Sequence, residues 1–333
     1  MFSKNYKDAL FTFPVANFTP IKRTPWGGCK ITELKKVAKQ TVGESWEVSA
    51  HQAFPSKIMV NNKTISLYEM VRQYPKEILG ERFALQKQCF SLLIKLLNAA
   101  QNLSLQIHPS DKTAQENESG KEESWYIISA EPGAGIYLGL AEDADEAKMR
   151  KFLDAGEDVS HFFNFIAVQP GEVYYIPPGT PHAVGAGVLL LEVQQSSATT
   201  FRYFDWNRKP SRELHINRAL QETNWQLPRG NALLQTVKKE HDFNCHQLQT
   251  VCEAKHFTIK TLTLQPLARF VYSVPATFVA LTVVEGSFSF DAKDCESVEL
   301  AAGFSGLIPA CTDELVFQAG NNPSTLVLSM PAD

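Results

Sequence analysis

Four residues in two segments have the types and spacing to hold one divalent metal: Gln106, His108, Glu123 and His182. The first segment runs Gln106-Ile-His108-Pro109 and, after a loop, Lys121-Glu-Glu123-Ser-Trp125-Tyr126. The second, Gly171-Glu-Val-Tyr-Tyr-Ile-Pro177-Pro-Gly179-Thr-Pro-His182, spaces Gly, Pro, Gly and His by five, one and two residues. Two neutral imidazoles and one carboxylate leave a bound metal most of its charge, so it can polarise a substrate oxygen as a Lewis acid. The residue types alone leave zinc, iron, manganese and cobalt open, because two histidines and a carboxylate also suit non-haem iron.

The elements that must position these groups are strands. Leu103-Ser-Leu-Gln-Ile-His-Pro alternates with period two, so Gln106 and His108 project to one face. Lys121 and Glu123 repeat that offset at the start of an apolar run and are expected to face the same cavity. Val173-Tyr-Tyr-Ile176 is β-branched and aromatic and ends in Pro-Pro-Gly-Thr-Pro, which predicts a tight turn that delivers His182 to the next strand. Three strands are thus expected to converge their ligands in the mouth of a small barrel. A lone histidine beside a proline is more often structural than ligating, and a Gly/Pro run alone is an ordinary hairpin signal. It is the two segments together, in order, that favour a metal site.

The Gly171–His182 pattern resembles the second motif of the cupin barrels, with Ala186 where that motif usually closes on Asn. Within that superfamily the chain resembles the type I mannose-6-phosphate isomerases in their short bacterial form. The matching pieces, in order, are Trp26-Gly-Gly28, Gly43-Glu-Ser-Trp-Glu47, Leu92-Leu-Ile-Lys-Leu-Leu97, Leu103–Pro109 and Gly120–Ile128. They continue with Pro177–His182, Leu191-Glu-Val-Gln-Gln195 and Thr199-Thr-Phe-Arg202-Tyr-Phe-Asp205-Trp-Asn-Arg208. The likeness covers about residues 20 to 218, and the ordered set is far more specific than any single motif.

The resemblance implies one zinc per chain on Gln106, His108, Glu123 and His182, and interconversion of mannose 6-phosphate and fructose 6-phosphate through an enediol. It places Arg202 in the active site, beside the reacting diol or the phosphate; the plainer role for Arg202 is a salt bridge to Asp205. Lys121 is expected to bind phosphate or to take part in proton transfer. Glu192 matches an acidic position of the family motif and is expected to orient Arg202 or Lys121, or to act as base. Arg208 is a further candidate for phosphate contacts, with a surface role as its alternative. His51 is read as structural although close to a family motif. Asp111 is expected to stabilise the loop after Pro109, and His161, His215, His241, His246 and His256 have no ligand-like company.

Composition is that of a soluble enzyme. The 333 residues are 44% hydrophobic and 20% charged, which speaks against disorder, and the net charge of −4 provides no basic face for nucleic acid. The six cysteines, 29, 89, 245, 252, 295 and 311, show no CxxC pairing and are read as reduced thiols. No apolar run reaches membrane-spanning length and no leader is evident around Lys4, Lys7 and Asp8, so a cytoplasmic location is expected. The expected partner is a small sugar phosphate, with neither nucleic acid nor membrane, for a monomer or weak homodimer.

The predicted fold is mainly β with some α: two cupin-type jelly-roll barrels and a small helical segment. Residues 1–65 are expected to add strands to the barrels, 66–100 to form the helical segment, and 101–210 to form the metal-binding barrel. Residues 211–234 are expected to connect it to a C-terminal barrel, 235–333, without metal ligands. Ser66-Leu-Tyr-Glu69 spells a capping box for a helix that should end before Pro75, with a second helical piece around 76–83. The run from about 85 to 98 fits strand or helix, and 143–155 reads as a surface helix. The stretch 212–221 is expected to be a helix or loop tying the barrels together. Phe278–Gly286 and Ser287–Phe290 read as two strands across a Gly turn, and Gly303–Pro309 repeats the Gly-to-Pro spacing of Gly171–Pro177 without a following histidine.

Two other functions compete with the isomerase. One is a metal cupin with different chemistry, such as an iron oxygenase, marked by oxygen consumption with iron. The other is a non-catalytic sugar-phosphate-binding or regulatory cupin, which would not need a complete ligand set.

Overall fold

The computed structural model describes all residues except 1–9, 15, 61–62, 87–88, 117, 240–246, 294 and 333. His241, His246, Cys245, Lys4, Lys7 and Asp8 therefore lie outside the described residues.

Mainly β structure with short helices is what forms, as two antiparallel jelly-roll barrels. In the first, a six-stranded sheet has the order Lys238–Lys239, Val173–Ile176, Glu123–Ala130, Val188–Gln195, Leu92–Asn98, Glu44–Ser49. It faces a five-stranded sheet ordered Phe201–Phe204, Leu105–Ile107, His182–Val184, Gly135–Leu140, Phe163–Ala167. Trp125, Ile127, Tyr174 and Leu190 of one sheet and Ile136, Leu138 and Val184 of the other fill the space between them. The second barrel pairs a six-stranded sheet, which includes the N-terminal strand Phe11–Thr12, with a four-stranded one over Phe288, Phe290, Phe317 and Leu328.

The two six-stranded sheets pack back to back. Val48, Ile94, Leu96, Leu191 and Val193 of the first barrel meet Phe257, Ile259, Phe278, Ala280 and Val327 of the second in one cluster. This decides the run at Leu92–Asn98: it is a strand buried at all seven positions. Ile94 and Leu96 face the other barrel while Leu97 faces its own interior. A strand covered on both faces loses the period-two signal, which is why its sequence also fits a helix. Each such leucine or isoleucine contributes about 1.5–3 kcal/mol by burial.

Helices close the ends and flanks. Leu67–Gln73 carries the full capping box, with the Ser66 hydroxyl accepting from the Glu69 amide at 3.1 Å, and Tyr74 ends it ahead of Pro75. The expected second piece is two helices, Pro75–Leu79 and Glu81–Gln86, divided at Gly80. Glu146–Asp154 is capped by Asp145 and packs with Ile216–Glu222 over the outer face of the five-stranded sheet, around Met149, Leu153, Ala219 and Leu220. The stretch expected to tie the barrels together thus serves the first barrel. The strands Val279–Glu285 and Ser287–Asp291 form, but do not pair with each other. At Gly286 the chain instead passes from one sheet of the second barrel to the other. Gly171 and Gly303, with φ of 87° and 86°, each lead into a four-residue strand, so the repeated spacing marks the same corner of each barrel.

Candidate active site

The site forms where cross-strand rows of the two facing sheets meet. Across the five-stranded sheet, Gln106 is the direct partner of His182 on one side and of Arg202 on the other. Directly opposed residues share a face, so the three side chains stand in one row. Across the six-stranded sheet, Glu192 is partnered by Lys95 and by Trp125, and Lys95 by Trp46. Glu123 opens its strand opposite Ile176, next to the turn that delivers His182. In that turn Gly179 has φ of 79° and its amide donates to the His108 carbonyl at 3.2 Å, so the two histidine segments are tied to each other.

His108, Glu123 and His182 are essentially inaccessible to solvent, and one ligand atom from each lies within 4.8 Å of the others. His182 Nδ1 is 2.9 Å from the Thr180 carbonyl and His108 Nδ1 is 2.8 Å from that of Thr199. A carbonyl only accepts, so each Nδ1 carries the proton and each Nε2 presents a lone pair. His182 Nε2 stands 3.2 Å from Glu123 Oε1, and neither buried atom has a hydrogen-bond partner. Two facing acceptors repel unless a cation lies between them. His108 Nε2 is 3.6 Å from Glu123 Oε2. Bonds of about 2.0–2.2 Å to one tetrahedral metal would separate its ligands by roughly 3.3–3.6 Å. The donor set therefore fits a divalent cation. Burial, reinforced by Lys121, lowers the His182 pKa to about 4 and holds His108 well below its ordinary value. Both rings are thus neutral, as ligation requires. Burial pushes the Glu123 carboxyl up, against the pull of Lys121.

Lys121 belongs to the same cluster. Its Nζ donates to Glu123 Oε2 at 2.6 Å and to His108 Nε2 at 2.9 Å. Gln106 accepts from the Ser104 hydroxyl at 3.1 Å. Together with Lys121, Arg202, Lys95 and Glu192 it lines a small polar cavity of about 80 Å³. A larger cavity, about 600 Å³, adjoins it at Ala198 and includes His51, Arg72 and Lys255 in its wall. His51 stands edge-on to Trp46 at 5.7 Å.

Arg202 is half-buried, its Nε has no partner, and no ion pair forms to it among the described residues. The expected alternative, a bridge to Asp205, goes to other residues: Asp205 is held by Arg208 at 2.6 Å and by both Nε and Nη2 of Arg212 at 2.7 Å. Arg208 also donates to the Asn102 carbonyl at 2.7 Å and is not part of the cavity lining. His215 brackets Arg202, donating its amide to the Arg202 carbonyl at 2.8 Å and accepting the Arg202 amide at Nδ1.

Glu192 contacts neither Arg202 nor Lys121. It accepts from Lys95 at 2.9 Å and from the Trp125 indole at 3.1 Å. Burial would raise its pKa, but Lys95, then Lys121, outweigh that and hold it well below the usual carboxylate range. Lys95, 6% exposed, also donates to Gln194 at 2.7 Å. Sequence reasoning missed Lys95. Its signal was present: a lone lysine inside an otherwise apolar run, a placement that costs several kcal/mol unless the charge is paired.

Asp111 does brace the loop after Pro109, accepting the Gly120 amide at 3.0 Å, and it reaches further, to His256 at 2.9 Å and Lys255 at 3.1 Å.

Fold and site together define a two-barrel cupin with one buried histidine–carboxylate donor set in its first barrel. The comparisons with known proteins sharpen this. Residues 22–138 match the model of the phosphomannose isomerase type I catalytic domain. The chain is 31% identical over 287 residues to mannose-6-phosphate isomerase ManA of Bacillus subtilis, covering 81% of this chain and 85% of that protein. It is 37% identical to mannose-6-phosphate isomerase of Streptococcus mutans over 59% of this chain and 63% of that one. The crystal structure of mannose 6-phosphate isomerase from Bacillus subtilis superposes with a TM-score of 0.76 at 26% identity, over 96% of this chain and 98% of that one. The chain belongs to the type I mannose-6-phosphate isomerase family, as the ordered motifs implied.

Proposed function

We propose that this enzyme interconverts mannose 6-phosphate and fructose 6-phosphate, with one zinc ion held by Gln106, His108, Glu123 and His182. The observation that carries the metal is the pair of facing, partnerless acceptors His182 Nε2 and Glu123 Oε1. The family relationship carries the reaction. When bound, the metal supplies a Lewis acid for the substrate's carbonyl and hydroxyl oxygens.

The protein's own groups do the rest. Arg202, a cation with no carboxylate of its own, binds the phosphate or an oxygen of the diol. Proton transfer between C1 and C2 needs a group that both takes and returns a proton near neutral pH. Glu192 is too acidic for that, so it acts as a positioning residue that anchors Lys95. Lys121, in contact with Glu123 and His108, is then the proton carrier at the cavity wall. Lys95, whose pKa burial would lower but Glu192 raises on balance, stays charged as the partner of Glu192. Arg208 positions Asp205 and its loop, and is removed from substrate contact.

The deciding experiment is conversion of mannose 6-phosphate by the purified protein before chelation, after it, and with zinc restored. Activity that chelation abolishes and zinc returns is expected. His182→Ala is expected to lose metal and activity together. Turnover unaffected by chelation, or stoichiometric zinc in His182→Ala, would overturn the assignment.

A further inference from the structure

We infer that Glu122, sandwiched between Lys121 and Glu123, is a positioning residue through which the second barrel sets the geometry of the metal centre. Alternation sends Lys121 and Glu123 into the site and Glu122 to the opposite side. There Glu122 is not left to solvent: it is 2% exposed. Its Oε2 accepts the His256 amide at 2.9 Å, and its Oε1 accepts the Tyr175 hydroxyl and, at 3.4 Å, the Lys255 amide. Lys255 and His256 form the corner that leads into Phe257–Leu264, a strand inside the six-stranded sheet of the second barrel. A carboxylate accepting two backbone N–H groups and a phenol is fixed by charge-assisted bonds, which are about twice as strong as neutral ones.

The backbone of this segment is held from both sides. The Gly120 amide goes to Asp111, that of Lys121 to the Pro109 carbonyl at 3.0 Å, and that of Glu122 to Gln195 Oε1 at 2.9 Å. Gln195 in turn donates to Asp111 at 3.0 Å, and Asp111 is paired with the same Lys255–His256 corner. The corner of the second barrel thus grips the segment twice, directly at Glu122 and through Asp111. With a backbone pinned on its far side, a side chain one residue away has little freedom to drift, and ligand sets need such support to keep their geometry. The second barrel therefore takes part in metal binding without contributing a ligand.

This inference rests on the metal-centre reading above, and its test reads metal affinity as well as turnover. In Glu122→Ala, zinc affinity measured by competition with a chromophoric chelator should fall about 10–100-fold. Turnover of zinc-saturated protein should fall while KM for mannose 6-phosphate stays within about twofold. Glu122→Gln should recover most of the affinity, because its carbonyl keeps the His256 amide and the Tyr175 hydroxyl turns to accept from the new amide, while the long bond from the Lys255 amide is lost. Should Glu122→Ala not fold, Glu122→Asp decides, since its carboxylate is one methylene too short to reach the corner; a loss of about fivefold or more is expected. Wild-type zinc affinity in folded Glu122→Ala, or in Glu122→Asp, would overturn the proposal. A wild-type protein that binds zinc yet does not isomerise the sugar would instead overturn the functional reading, leaving the affinity comparison to decide the role of Glu122.

Discussion

Arg202 and Arg208 stand six residues apart in the same motif, and both are candidates for phosphate on residue type alone. Their partners separate them. Arg208 gives its two terminal nitrogens to Asp205 and to a backbone carbonyl, whereas Arg202 lines the cavity and forms no ion pair among the described residues. Arg202→Ala should therefore keep its zinc and lose about 10²-fold in kcat/KM, the usual size of one lost electrostatic contact in a transition state. Arg208→Ala should keep KM within about twofold and cost roughly 1.5–3 kcal/mol of stability in urea unfolding, through its charge-assisted bonds. The reverse pattern in steady-state kinetics would exchange their roles. The same reasoning divides the carboxylates: Glu123 gives one oxygen to Lys121 and turns the other to an imidazole lone pair, whereas Glu192 has both oxygens taken, by Lys95 and by the Trp125 indole.

At the scale of the element, the turn Pro177–His182 is what brings His182 to His108 and Glu123. Gly179 adopts a left-handed backbone that L side chains avoid, and a Cβ there would lie 3.1 Å from the Glu222 carbonyl and 3.2 Å from Asn224 Cβ. Gly179→Ala should cost about 1–2 kcal/mol from the backbone conformation alone. It should also weaken zinc binding, because relief of the contact moves the turn that carries His182. Thermal unfolding with and without zinc checks both: a smaller zinc-induced rise in Tm than in wild type is the expected result. An unchanged rise would show that the turn can relax without disturbing its histidine.

The whole molecule is joined by more than apolar packing. Lys35 and Glu47 form an ion pair at 2.9 Å with both side chains 5% exposed, and Lys35 also donates to the Gly303 carbonyl of the second barrel. Removing one member of a buried pair strands the other, so Glu47→Ala should cost about 3–5 kcal/mol in urea unfolding. The double variant Lys35→Met/Glu47→Leu should regain most of that, since apolar replacements of similar volume remove both charges at once. A cost below about 1 kcal/mol for Glu47→Ala would mean the pair is solvated. The described residues contain no helix long and apolar enough to cross a membrane.

Much of this was legible in the chain itself. Local rules act over a few residues, so alternation at Gln106–His108 and Lys121–Glu123, the Pro-Pro-Gly-Thr-Pro turn, the Ser66 capping box and the Asp145-led helix all announce themselves by type and spacing. The ordered motifs also identified the family and, through it, the two-barrel architecture. What sequence could not decide depends on partners far apart in the chain. The Leu92–Asn98 strand loses its alternation because a second barrel covers its outer face. Lys95 becomes a site residue only when Glu192, ninety-seven positions on, is brought to 2.9 Å. Arg208 places its terminal nitrogens on Asp205 and Asn102, and Glu122 is held by a corner that begins 133 residues later. Sequence by itself determined which groups are available and on which face of a strand they stand. Only the tertiary structure decided which charges are spent on one another and which remain free for a metal and a substrate, because that choice is made by distances that only the folded chain possesses.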